Sequence, residues 1–137
     1  MLGVSLGNVL SVRCANNLPS KKVKNLISLV GGARLGLSAW NSILTRDVAR
    51  NSGCSSAQEY EKRLEEFSPI TYLKNLKAER VFARFGTCDM TIPYNSQGRD
   101  LKKALQTMEA EMYDIKSYLF ADHCSAMLFS SKAGIHR

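Results

Sequence analysis

The 137-residue sequence predicts an α/β fold built on a parallel sheet, and three observations lead to it. Short apolar runs bounded by turn residues recur along the chain, stretches with helical spacing lie between them, and the length suits one domain. Strands separated by helices must be joined by crossovers, and crossovers make neighbouring strands parallel.

Met1 to Val4 is a short apolar start that ends in the turn Gly3-Val4-Ser5-Leu6-Gly7. Leu6, Val9, Leu10 and then Val12 or Arg13 carry a helical spacing, which Asn16-Asn17-Leu18-Pro19 stops. Val23 to Val30, bounded by Pro, Ser and Lys before it and Gly31-Gly32 after it, reads as a buried strand. Residues 34–75 carry no strand signal and read as a helical excursion between two strands. Within them Ser38 is expected to cap a helix whose apolar side is Trp40, Ile43, Leu44 and Val48, ending near Gly53. Ser56-Ala57-Gln58-Glu59 is a capping-box sequence that opens a second helix, with Tyr60, Leu64 and Phe67 on one side, until Ser68-Pro69 breaks it. Arg80 to Phe85 reads as a strand stopped by Gly86. Leu101, Leu105, Met108 and Met112 have helical spacing, Tyr113 to Phe120 reads as the last strand, and a short helix is expected from Ser125 to Ser131.

Composition narrows the function classes. Apolar residues make up 45% and charged residues 23%, which excludes collagen-like and wholly disordered chains and leaves material for a core. The net charge of +7 is uneven: residues 1–50 hold seven bases and one acid. The nearest thing to a basic cluster is Lys21, Lys22 and Lys24, with no interleaved aromatics and no helix-turn-helix or zinc-finger spacing. It reads as a solvated turn, and no nucleic-acid partner is expected. Cys14, Cys54, Cys88 and Cys124 lie far apart, without a Cys-x-x-Cys pair, and the start of the chain has no basic leader region. Reduced thiols and a cytoplasmic location follow as expectations. The most apolar stretch, Val23 to Trp40, is interrupted by Lys24, Asn25 and Arg34, so no membrane span is predicted.

Three residues bear chemistry at predicted strand ends. Gly3-Val4-Ser5-Leu6-Gly7 is a G-x-S-x-G at a strand-to-helix turn. Such a turn lifts a nucleophilic serine above the sheet edge, requires small flanking residues where backbones crowd, and aims a helix amino terminus at developing negative charge. The backbone N–H of Leu6 is then an oxyanion donor. Asp89, in Gly86-Thr87-Cys88-Asp89, follows the strand 80–85, where parallel sheets place ligand chemistry, although it also suits a simple Asx turn. His123 lies just past the last strand, whereas the other histidine, His136, sits in the tail. Cys88 and Cys124 flank this acid and histidine, but they lack the paired spacing of zinc sites, and no metal is expected. Trp40 and Tyr60 suit either the wall of a substrate pocket or the core.

Ser5, Asp89 and His123 occur in the chain order of the α/β-hydrolase triad, and the sequence resembles that fold family of serine hydrolases over nearly its whole length. Phe67-Ser68-Pro69-Ile70-Thr71-Tyr72-Leu73 is similar to the segment leading into the strand before the acid. Gly86-Thr87-Cys88-Asp89-Met90-Thr91-Ile92-Pro93-Tyr94 resembles the acid loop, and residues 34–75 match the position of a helical cap. The resemblance implies a partial α/β-hydrolase fold: one domain over 1–137 with a parallel sheet of about three to four strands flanked by helices, and a cap-like insertion at 34–75. It implies a catalytic triad of Ser5, Asp89 and His123, an oxyanion N–H on Leu6, a small ester or acyl substrate, and no cofactor. Three departures stand out. Asn8 occupies a place where a glycine often follows the turn, Ala121-Asp122-His123-Cys124 lacks a glycine beside the histidine, and the chain starts four residues before Ser5. The last is expected to leave an open sheet edge suited to self-association, and to remove the second oxyanion donor, a loss of about 100- to 1000-fold in rate. The alternative is an inactive relative or an interaction module without catalysis.

Overall fold

Four strands, β1 (Leu2–Val4), β2 (Lys22–Leu29), β3 (Lys77–Gly86) and β4 (Glu109–Tyr118), form one sheet in the order β1-β2-β3-β4, with every pair parallel. The computed structural model describes residues 1–132, so His136 lies outside the described residues. Val4 pairs with Leu29, Leu29 with Arg84, and Gly86 with Tyr118, so all four strands end at one edge. Seven helices complete the described fold: α1 (Gly7–Asn16), α2 (Leu35–Asn41), α3 (Arg46–Arg50), α4 (Ala57–Leu64), α5 (Pro69–Leu73), α6 (Arg99–Thr107) and α7 (His123–Lys132).

Apolar side chains at helical spacing on α1 and α6 explain the main core. Val12 and Ala15 of α1 and Leu101 and Leu105 of α6 pack with Leu26, Val81 and Phe85 of the sheet. A smaller cluster of Val30, Ala121 and Ala126 seats α7. β3 and β4 are also tied by Arg84, which is fully buried. Its guanidinium donates to Asp114 Oδ2 (2.6 Å) and to the Asp114 carbonyl (2.7 Å), and lies 3.6 Å from the centre of the Phe82 ring. Hydrogen bonding to Arg84, then its positive charge, hold the Asp114 carboxyl below the usual carboxylate range despite partial burial.

The structure corrects several boundaries. The helix expected from Ser38 to near Gly53 is two helices, α2 and α3, because Ser42 turns extended between them. Ser38 is not its cap: α2 starts three residues earlier, and remote side chains satisfy its first N–H groups. Ser68 Oγ accepts from Leu35 (2.9 Å) and Glu61 Oε2 from Leu37 (3.0 Å). The Ser56 capping box forms, with Ser56 Oγ accepting from the Glu59 N–H at 3.2 Å while the Glu59 carboxylate reaches back one residue further, to Ser55. α4 ends at Leu64, four residues before the expected break at Ser68-Pro69, because the chain tightens into a 3-10 turn over Glu65–Phe67. Pro69 then opens α5 from the first helical position, which its missing N–H suits. α5 carries Leu73 into the main core, so the end of the 34–75 segment belongs to the layer beside the sheet. Met112, expected on a helix, is on β4, because Met108 turns extended and β4 pairs with β3 from Glu109 onward. Extended pairing with β3 overrides local helical spacing here.

β1 pairs with β2 on one side, and Leu2 (58%), Leu6 (61%) and Leu10 (63%) are exposed along it. No helix among the described residues is long and apolar enough to cross a membrane. The four cysteines are free thiols, Cys54 buried and the others exposed. Lys22 lies within 4.0 Å of Glu79 and 3.9 Å of Glu111, at the end of the sheet opposite Ser5.

Candidate active site

The chain crosses the carboxyl edge of the sheet by sharp left turns. Ser5 (φ 51), Val30 (φ 47) and Phe120 (φ 60) follow β1, β2 and β4, and all three are non-glycine residues in the left-handed region. Such strain gathers where surrounding structure over-determines a conformation, and β-branched Val30 is the most unusual of the three. At Ser5 the turn is anchored by its own N–H, which donates to Leu29 O at 2.9 Å. Gly3 is obligatory: a Cβ there would lie 2.3 Å from Ser11 Oγ and 2.5 Å from Asn8 Cα. Gly7, by contrast, has open space where a side chain would go, so only one of the two flanking glycines is needed for packing. Asn8 is fully buried against Gly31, where a Cβ would stand 2.8 Å from its Cγ, so a glycine on the next strand's loop makes room for the larger residue.

Asp89 and His123 meet because their loops are stitched together. Thr87 N–H donates to Tyr118 O (3.1 Å), Cys88 N–H to Ala121 O (2.9 Å), and Phe120 N–H to Thr87 Oγ1 (2.9 Å). Gly86 permits the crossing, since a Cβ there would lie 2.4 Å from Ala121 O. The glycine lacking beside His123 is thus supplied across the gap by β3. Asp89 is buried, and its Oδ1 accepts N–H groups from Thr91 and Ile92, both at 2.9 Å, so the Asx turn and the buried acid are one arrangement. Its Oδ2 accepts from His123 Nδ1 at 2.7 Å. A carboxylate only accepts, which puts the ring proton on Nδ1 and leaves Nε2 to accept from Ser5 Oγ at 3.0 Å. The three residues read from the sequence therefore form one continuous hydrogen-bonded chain. Asp122 caps α7 beside it: its Oδ1 accepts from Ser125 N–H (2.8 Å) and Oγ–H (2.7 Å), and these bonds hold its carboxyl below the usual range. Among the described residues, no acceptor takes the N–H of Leu6, the N-cap residue of α1.

A cavity of about 230 Å³ opens beside Ser5, walled by Leu6, Val9, Leu35 and Ile92 and floored by Gly32 and Ser38. Trp40 and Tyr60, expected in such a pocket, do not line it. Their rings pack on each other 5.9 Å apart, between α2 and α4. Their helical spacing signalled helix–helix packing, while Gly32 and Ser38 gave no aromatic or charge signal to find. No group of three or more His, Cys, Asp or Glu among the described residues is placed to hold a metal ion.

Order, register and strand-end site together define a partial α/β-hydrolase fold. The chain is similar to Pyrococcus horikoshii acylaminoacyl peptidase (TM-score 0.69, 19% identity), covering 93% of this chain and 20% of that one. It is similar to acetyl xylan esterase 1 from a Thermoanaerobacterium species (TM-score 0.69, 19% identity), over 96% of this chain and 42% of that one. A Mycobacterium tuberculosis puromycin-hydrolyzing peptidase matches 96% of this chain and 20% of its own (TM-score 0.65, 19% identity). The chain thus spans a fifth to two fifths of these proteins' lengths. No protein-family model and no curated protein sequence matches it.

Proposed function

We propose that the chain carries the catalytic site of a serine hydrolase acting on a carboxylic ester or similar small acyl substrate. One observation carries this reading: His123 bridges Ser5 and Asp89 through its two ring nitrogens, at 3.0 and 2.7 Å. Ser5 Oγ attacks the acyl carbonyl as its proton passes to His123 Nε2. Asp89 fixes the imidazole tautomer and stabilises the imidazolium. The Leu6 N–H and the amino terminus of α1 stabilise the oxyanion. Collapse expels the alcohol or amine with the proton held by His123. Water, deprotonated by the same nitrogen, then releases the acid and restores Ser5. The peptidase and esterase neighbours support acyl transfer as the reaction class. At 230 Å³ the cavity is below the range of about 300–1,000 Å³ typical of drug-sized ligands, which favours a short acyl group.

A fluorophosphonate probe tests this. Folded protein is expected to take up the probe at Ser5, located by peptide mass spectrometry, and Ser5→Ala to abolish uptake. Unlabelled protein with native circular dichroism would overturn the reading.

A further inference from the structure

Resting on the Ser5 hydrolase reading, a second serine gives the pocket a chemical preference. Ser38 is 8% exposed, and its hydroxyl has no hydrogen-bond partner among the described residues. Two other hydroxyls lining the same cavity are engaged: Ser42 Oγ accepts from Leu44 N–H (3.2 Å), and Thr45 Oγ1 donates to Ala39 O (2.9 Å). A serine inside a helix commonly turns its hydroxyl back onto the carbonyl four residues earlier. Here the Arg34 carbonyl takes only the Ser38 N–H (3.0 Å), and the hydroxyl is directed at Gly32 instead. A Cβ on Gly32 would stand 2.5 Å from Ser38 Oγ and 2.9 Å from Ile92 Cγ2, and all three residues line the cavity. A missing side chain and an unpaired buried hydroxyl thus coincide at the floor of a mainly apolar pocket. Buried hydroxyls are rarely left unpaired, and alanine would fill the same helical position without that cost.

We propose that Ser38 is a specificity-determining residue whose hydroxyl hydrogen-bonds an oxygen substituent on a short acyl group, so that hydroxyacyl esters are preferred over alkyl esters of the same size. Methyl glycolate and methyl propionate form the matched pair, a hydroxyl in one replacing a methyl in the other. Their binding to Ser5→Ala protein, which cannot turn them over, is read by NMR titration. Glycolate is expected to bind more tightly by on the order of tenfold, the worth of one neutral hydrogen bond, and Ser5→Ala/Ser38→Ala to lose that preference. Gly32→Ala, filling the floor from the opposite side, is expected to lose it as well. Equal binding of the two esters, or a preference that survives Ser38→Ala, would overturn the proposal. With Ser5 intact, the glycolyl-to-propionyl ratio of kcat/KM is expected to fall about tenfold on Ser38→Ala, a comparison in which intrinsic ester reactivity cancels. A Ser38-dependent glycolate preference without fluorophosphonate uptake would uphold the pocket and sink only the hydrolase reading. Uptake at Ser5 without that preference would do the reverse.

Discussion

Asp89 and His123 stand past the ends of β3 and β4, two ten-residue strands registered at nine positions, whereas Ser5 follows β1, three residues registered at three. The first pair is further locked by Arg84–Asp114 within the strands and by three hydrogen bonds between the loops. Ser5 depends on one strand edge, a left-handed turn and the packing of α1 behind it. The acid–base pair is therefore a stiff unit set by the sheet, and the nucleophile is presented to it by a turn. Changes in the two halves should separate in their effects.

The largest effect is expected from Gly86→Ala, which breaks the stiff half. Its Cβ would meet backbone oxygens of Ala121 and Asp122 at 2.4 and 2.6 Å, atoms that move only with the loop carrying His123. A cost of about 1–3 kcal/mol is expected in denaturant melts. The rate of Ser5 labelling should fall by about 100-fold or more as the base shifts. Gly3→Ala strikes the turn and should cost about 1–2 kcal/mol through its clash with Ser11 and Asn8. Gly7→Ala, facing open space at the first position of α1, should instead stabilise by about 0.5 kcal/mol. If the two glycine variants behaved alike, the turn would not be the determinant described. Asp122 sharpens the contrast at the smallest scale. Its carboxyl is held below the ordinary value by Ser125, so its contribution to α7 is complete above the unfolded value and lost as pH falls through the folded one. Asp122→Asn keeps a capping side chain that does not titrate in this range. Amide exchange at residues 123–126 should therefore be slower in the wild type than in Asp122→Asn at neutral pH, with the gap closing below about pH 4.

Much of this was legible in the sequence because strong local signals and tertiary demands agreed. Val23–Val30 and Arg80–Phe85 are apolar runs whose pairing keeps them extended, and Ser5, Asp89 and His123 stood at predicted strand ends. The readings that failed did so where distant partners decide. Ser38 has the composition of a cap, but the first turn of α2 is satisfied by Ser68 and Glu61, 33 and 24 residues away along the chain. Met112 has helical spacing, but β3 claims it for the sheet. Trp40 and Tyr60 sit on the right segment, but they face each other instead of the cavity. The pocket floor was illegible because its key feature at Gly32 is the lack of a side chain, and glycine carries no sign of what it leaves open.

The contact between Asn8 and Gly31 constrains how this site can change over generations. Bulk at position 8 is tolerated only while position 31 carries none, since any Cβ at 31 would press on the Asn8 side chain at 2.8 Å. A small residue at 8 must therefore be in place before position 31 can gain a side chain, and the reverse order is blocked. Such epistasis makes the local turn motif an unreliable guide to kinship, because the residue that accommodates a departure lies on another strand's loop.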